Sequence, residues 1–133
     1  MLGLFQSTTL PALEQTMSFA QRRHELLAGN VANIDTPGYR SRDLDVGDFQ
    51  NALAESIHAS GRLQQNPIRP TTRDDVFAGP RAATEQVVFH DDSDVSMERQ
   101  VTQIAKNKHL HSLAVTTMRS QFALLKAAIS ERA

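Results

Sequence analysis

The stretch Asn30-Val-Ala-Asn-Ile-Asp-Thr-Pro-Gly-Tyr-Arg40 (NVANIDTPGYR) decides how this chain is read. Thr36-Pro37-Gly38-Tyr39 places Pro and Gly at the two central positions of a type II turn, which needs a left-handed residue at the second of them. Asn33 is a good helix-ending residue because Asn tolerates the left-handed conformation. Asn30 and Asn33, three apart and separated by Val31 and the small Ala32, offer two amides on one helix face to hold a returning backbone. The stretch therefore predicts a helix that stops and a chain that reverses, without catalytic chemistry.

Upstream, Leu10, Leu13, Met17, Ala20, His24, Leu27, Val31 and Ile34 recur at alternating spacings of three and four. That spacing predicts an amphipathic helix from Thr9 to Ala32 with a heptad seam. Pro11 suits its first turn, where a missing N–H costs little. Near the other end of the chain, Met97, Val101, Ile104, Lys108, His111, Val115, Met118, Phe122, Leu125 and Ile129 repeat the same spacing. No Gly or Pro occurs from Val95 onward, and Asp91, Asp92 and Asp94 precede the run, where acidic side chains favour a helix N-terminus. A helix from Val95 to Glu131 would be about 55 Å long. A compact globule of this chain length has a radius of gyration near ~14 Å, so an elongated molecule is expected.

Between the helices, VGDFQNALAESIHAS has the spacing of a short helix, with Phe49, Leu53 and Ile57 four apart, and EQVVFH that of one short strand. The rest, GRLQQNPIRPTTRDDVFAGPRAATE, holds Pro67, Pro70 and Pro80 with clusters of turn formers and few apolar residues, and is expected to be irregular. The expectation is a mainly α chain: an N-terminal helix over 1–34, a turn motif and irregular middle over 35–94, and a long C-terminal helix over 95–133. The two helices form one coiled-coil-like antiparallel pair.

Composition excludes several functions. The 133 residues carry 14 Lys and Arg against 15 Asp and Glu, a net charge of −1 that gives no footprint for nucleic acid. There is no Cys, so disulfides and thiolate metal sites are excluded. Arg22-Arg23 reads as a solvated helix face, and Gln103, off the C-terminal seam, as a surface residue. His109 and His111 are two apart and point to different sides of a helix, so they do not share a metal. Asp43, Asp45 and Asp48 lack the Gly and Glu positions of an EF-hand. No phosphate loop, cofactor motif, small-molecule site or catalytic grouping appears. The N-terminal MLGLFQSTTLPALEQ lacks the basic and continuous apolar regions of a cleaved signal peptide. From Leu110 to Ile129, by contrast, Leu, Ala, Val, Met, Phe and Ile cover more than one face. A helix apolar on most of its circumference is buried on several sides, so other subunits are expected around it. Leu10, Leu13, Met17, Leu27 and Val31, with Met97, Val101, Ile104, Val115, Met118, Phe122, Leu125 and Ile129, are the candidate packing and assembly residues. Lys108 and His111 interrupt the second seam.

LLAGNVANIDTPGYRSRDLD resembles the N-terminal signature of bacterial flagellar rod and hook proteins, an Asn-x-Ala-Asn-x-x-Thr-Pro-Gly-Tyr block carried here by Asn30, Ala32, Asn33, Thr36, Pro37, Gly38 and Tyr39. The continuation Arg40 to Asp45, the block DVSMERQVTQIAKN and the chain length are similar to the short proximal rod members of that family. Gly29 departs from the pattern, where Ser often stands. The resemblance implies a structural subunit of the periplasmic rod of the basal body, exported without a cleaved signal by the flagellar export apparatus. Its partners would be other copies of itself, other rod proteins, and the membrane-ring protein with its rod adaptor. Another short rod protein of the same family, or a generic helical interaction or adaptor module, is the alternative. The generic module accounts for the seams but not for the Asn-Asn-Thr-Pro-Gly-Tyr block.

Overall fold

The computed structural model describes residues 9–65, 76–90 and 96–131. Along the chain run α1 (Leu10–Ala32), β1 (Arg42–Leu44), α2 (Val46–Gln65), α3 (Ala78–Glu85), β2 (Val87–Phe89) and α4 (Met97–Ser130). Pro11 lies in the first turn of α1, and the Leu13 N–H donates to Thr9 O at 3.1 Å. Ser96 caps α4, its hydroxyl accepting from the Arg99 N–H at 3.2 Å. With 34 residues, α4 is about 51 Å long.

The terminal helices pair, and they run antiparallel. Asn30 meets Gln100, Arg23 meets Gln103, and Ala20 meets Asn107. The stripe that α4 turns to α1 is not the one its heptads suggest. Gln100, Asn107 and Ala114 are its buried residues, at a seven-residue interval. Ile104, His111, Met118 and Leu125 flank that row and are half-buried. Val101, Phe122 and Ile129 are 53%, 49% and 60% exposed. The alternation of three and four thus merged two rows. One, which begins at Met97, borders the contact with α1; the other, which includes Lys108 and Val115, lies further round the helix.

The hydrophobic core lies on the other side of α1, and the middle of the chain builds it. Phe19, Leu26, Leu44, Phe49 and Ala83 form one buried cluster, with Val46, Leu53 and Val87 packed against it. The Phe19 and Phe49 rings stack with centroids 4.0 Å apart. Neither Phe19 nor Leu26 belongs to the α1 seam, which contributes Leu10, Ala20 and Leu27 as buried residues and leaves His24 exposed. The expectation of an irregular middle is corrected for its described parts. Residues 61–65 complete α2, and 78–85 form α3. Apolar residues are few there, but they are placed where one face of α1 needs them. Each large side chain fully buried in this way contributes about 1.5–3 kcal/mol. The remaining turn-former stretch, 66–75, lies outside the described residues, as do Asp91, Asp92 and Asp94.

β1 and β2 form a two-stranded antiparallel sheet, pairing Arg42 with Phe89, Asp43 with Val88 and Leu44 with Val87. His90 N–H extends the ladder by donating to Ser41 O at 3.0 Å. Asp45 starts α2, its Oδ1 accepting from the Asp48 N–H at 2.9 Å.

Candidate assembly site and its turn

The reversal after α1 is built around Asn30, which is 1% exposed. Its Oδ1 accepts from the Arg42 N–H at 2.9 Å and its Nδ2 donates to Arg42 O at 2.7 Å. One side chain thereby satisfies both backbone groups of the first β1 residue, as a neighbouring strand would. Tyr39 Oη donates to the same Oδ1 at 3.1 Å, and Nδ2 also reaches Gln100 Oε1 at 3.3 Å. A single amide thus ties together α1, the turn, β1 and α4.

The turn has the expected type. Gly38 has φ +75°, and the Tyr39 N–H donates to Thr36 O at 3.1 Å. Thr36, Pro37 and Gly38 are themselves exposed. Asn33 ends α1 differently from the expectation. Its φ is −113°, outside the left-handed region, and its Nδ2 donates back to Gly29 O at 2.8 Å. Of the two amides, Asn30 holds the returning strand and Asn33 closes the last turn of its own helix. Ala32 is exposed, and a Cβ on Gly29 would meet the Tyr39 hydroxyl at an ordinary 3.9 Å.

Beside Asn30 lies a charged knot the sequence reading missed. Arg23 is buried, not solvated. Its Nε donates to Asp43 Oδ1 and its Nη2 to Asp43 Oδ2, both at 2.8 Å. Nη2 also donates to Gln103 Oε1 at 2.9 Å, and the Leu44 N–H donates to Asp43 Oδ1 at 2.8 Å. Gln103 is accordingly part of the interface and not a bystander. A two-point guanidinium–carboxylate contact is the geometry that makes a buried pair worthwhile. Twenty residues separate Arg23 from Asp43, and no local spacing announces the pair. Arg22 fits the surface reading, with Nη1 3.1 Å from exposed Glu25 Oε2.

A polar cavity of about 570 Å³ opens between the hairpin, α1 and the start of α4; Arg23, Ser41, Asp43, His90, Arg99 and Gln100 are among its walls. Of the other candidate packing residues, Leu13, Met17 and Val31 are half-buried, Val115 is half-buried, and Met97 is exposed. Lys108 is exposed and His111 half-buried. Leu113 and Leu124, 56% and 63% exposed, add apolar surface away from the exposed row. No helix among the described residues is long and apolar enough to cross a membrane.

Residues 10–40, which are α1 and the Asn30-centred turn, match the family described as Flagella basal body rod protein. Beyond that block, the chain is similar to the flagellar basal body rod protein FlgB of Bacillus subtilis, 28% identical with 97% of this chain and 98% of the relative covered. The FlgB protein of Salmonella typhimurium is also 28% identical, with 81% and 83% covered, and that of Proteus mirabilis 26%, with 89% and 91% covered. The chain is thus similar to bacterial flagellar basal body rod proteins, over its first helix and turn to the family and over nearly its whole length to individual members. Among those proteins its likeness is to FlgB.

Proposed function

We infer that the chain is a subunit of the proximal rod, assembling through its terminal helices into the axial tube that crosses the periplasm. The observation that carries this reading is the likeness to FlgB proteins, which extends over nearly the whole chain and not only over the turn motif. The exposed rows of α4 support it. Val101, Phe122, Leu124 and Ile129 present apolar surface that the described part of the chain does not cover, and apolar surface of that extent is normally covered by partners. Its neighbours in the basal body are further copies of itself, other rod proteins, and the membrane ring with its adaptor. It reaches them through the flagellar export apparatus. The turn motif shapes the subunit, and the heptad rows of α1 and α4 supply the contacts. The three sequence segments act as one domain.

Deleting the gene and restoring it on a plasmid tests this. Loss of hook and filament, regained on complementation, is the expected result, with the chain found in isolated basal bodies. A deletion strain that still builds filaments overturns the reading.

A further inference from the structure

The α1–α4 contact has an odd feature. Asn107 sits at its centre, 2% exposed, on the row Gln100, Asn107, Ala114 and Gln121. Its Nδ2 donates to Ala20 O at 2.7 Å, while its Oδ1 is buried without a hydrogen-bond partner. A buried polar group with one end unpaired costs stability, and an apolar side chain of similar size would not carry that cost. The residue therefore contributes less to holding the helices together than to deciding how they are held.

The neighbouring rows show what there is to decide. A heptad pattern repeats, so sliding α4 by seven residues along α1 keeps apolar residues opposite apolar residues. Ile104, Met118 and Leu125 meet comparable surroundings after such a slip. The Arg23–Gln103 contact discriminates poorly too, because one slip brings Gln100 level with Arg23. Asn107 behaves otherwise. In the observed register it faces Ala20, whose small side chain leaves a carbonyl within reach. A slip of one heptad in either direction brings it level with Leu13 or Leu27. There the amide meets a branched apolar side chain and loses its acceptor. We propose that Asn107, through Ala20, is the specificity-determining residue that fixes the register of the α1–α4 pair. It does so by penalising the heptad-slipped pairings that the apolar rows permit. Single buried Asn residues set register in coiled coils in the same manner.

The test reads register directly in the full chain. The protein has no Cys, so Ala28→Cys with Lys126→Cys gives a clean pair of nitroxide labels. Both positions are exposed. In the observed register they lie about 40 Å apart along the helix axis, and a heptad slip changes that by about 10 Å. Pulsed electron–electron double resonance, with labelled chains diluted in unlabelled ones, measures the distance within one molecule. The labelled chain should give a single distance. Adding Asn107→Leu, with helical circular dichroism retained, should give a second population displaced by about 10 Å. If Asn107→Leu loses its helical signal, Asn107→Ala takes its place, since it also removes the penalised amide. A single unshifted distance in the folded Asn107 variant overturns the proposal. So does a mixture of registers in the chain that keeps Asn107.

Discussion

The two halves of α4 are joined to the molecule in different ways. Along the first, Gln100, Gln103 and Asn107 make hydrogen bonds to Asn30, Arg23 and the Ala20 carbonyl. Along the second, Thr116, Thr117 and Ser130 turn their hydroxyls back onto the helix's own carbonyls, and Ala114 is the buried residue. Hydrogen bonds are directional, so a contact built from them is satisfied in one geometry only. Apolar contact is non-directional and scales with the area removed from water. The first half therefore defines the shape of a subunit. The second offers adhesive surface to whatever it meets. This division separates the contacts that define the subunit from the surface left for assembly.

The sharpest way to test the polar half is to leave a charge unpaired in it. Arg23→Ala strands buried Asp43 and is expected to cost about 3–5 kcal/mol. Domain stabilities are only about 5–15 kcal/mol, so thermal or urea unfolding should show a large part of the total gone. The double change Arg23→Met with Asp43→Leu should recover most of it, because no charge then remains buried. If the single change melts like the unsubstituted chain, the knot is not holding the hairpin to α1.

Asn30→Ala comes next, at about 1–3 kcal/mol, the range for leaving partly buried polar groups without partners. Its signature is local. The amide of Arg42, whose acceptor is Asn30 Oδ1, should exchange hydrogen much faster than amides within α1. Smaller again is Gly38→Ala. Nothing lies within 4 Å of the position where a Cβ would sit, so only the backbone conformation at φ +75° is penalised, by about 1 kcal/mol. A drop of several degrees in melting temperature without loss of assembly is the expected result. A variant as stable as the original would show that the turn relaxes.

What the sequence disclosed and what it withheld follow from the range of each interaction. The two terminal helices, most of α2, the turn at Pro37-Gly38 and the strand in EQVVFH are local, written in the spacing of neighbours. The pairing of the terminal helices was also legible, because two long apolar rows need partners. The stripe on α4 was not. Choosing between rows one residue apart depends on knowing that Gln100 and Asn107 find partners on α1, and polar residues are normally read as outward-facing. Arg23 misled for the same reason, its carboxylate lying twenty positions away. The core escaped because Phe19 and Leu26 stand off the seam, Ala83 lies in a segment whose composition resembles a linker, and the spacing of Phe49 and Leu53 marks a helix without naming what it packs against. The role of Asn30 was half visible. An amide facing a returning strand was readable, whereas its grip on both backbone groups of Arg42 required the register of β1.

The smallest expected effect on folding is also the one that separates the two halves of α4 most cleanly. Phe122 stands out from the sequence as a seam residue whose truncation should remove a buried ring. In the folded chain it is 49% exposed and stands outside the buried cluster of Phe19, Leu26, Leu44, Phe49 and Ala83. Truncating a fully buried Phe costs about 3–5 kcal/mol, but half of this ring is already in water, and the change should cost less than about 1 kcal/mol in the isolated protein. In an assembly the same ring is repeated in every subunit, so each lost contact recurs. Phe122→Ala is therefore expected to melt normally and to abolish swimming. Gln103→Ala should do the reverse, weakening the subunit by about 1 kcal/mol through the lost Arg23 contact while swimming persists. Melting curves and motility on soft agar, measured for both variants, decide the matter. If Phe122→Ala unfolds the subunit, its ring belongs to the fold. If that variant folds and swims, the exposed row of α4 is not an assembly surface, and the division between the two halves fails.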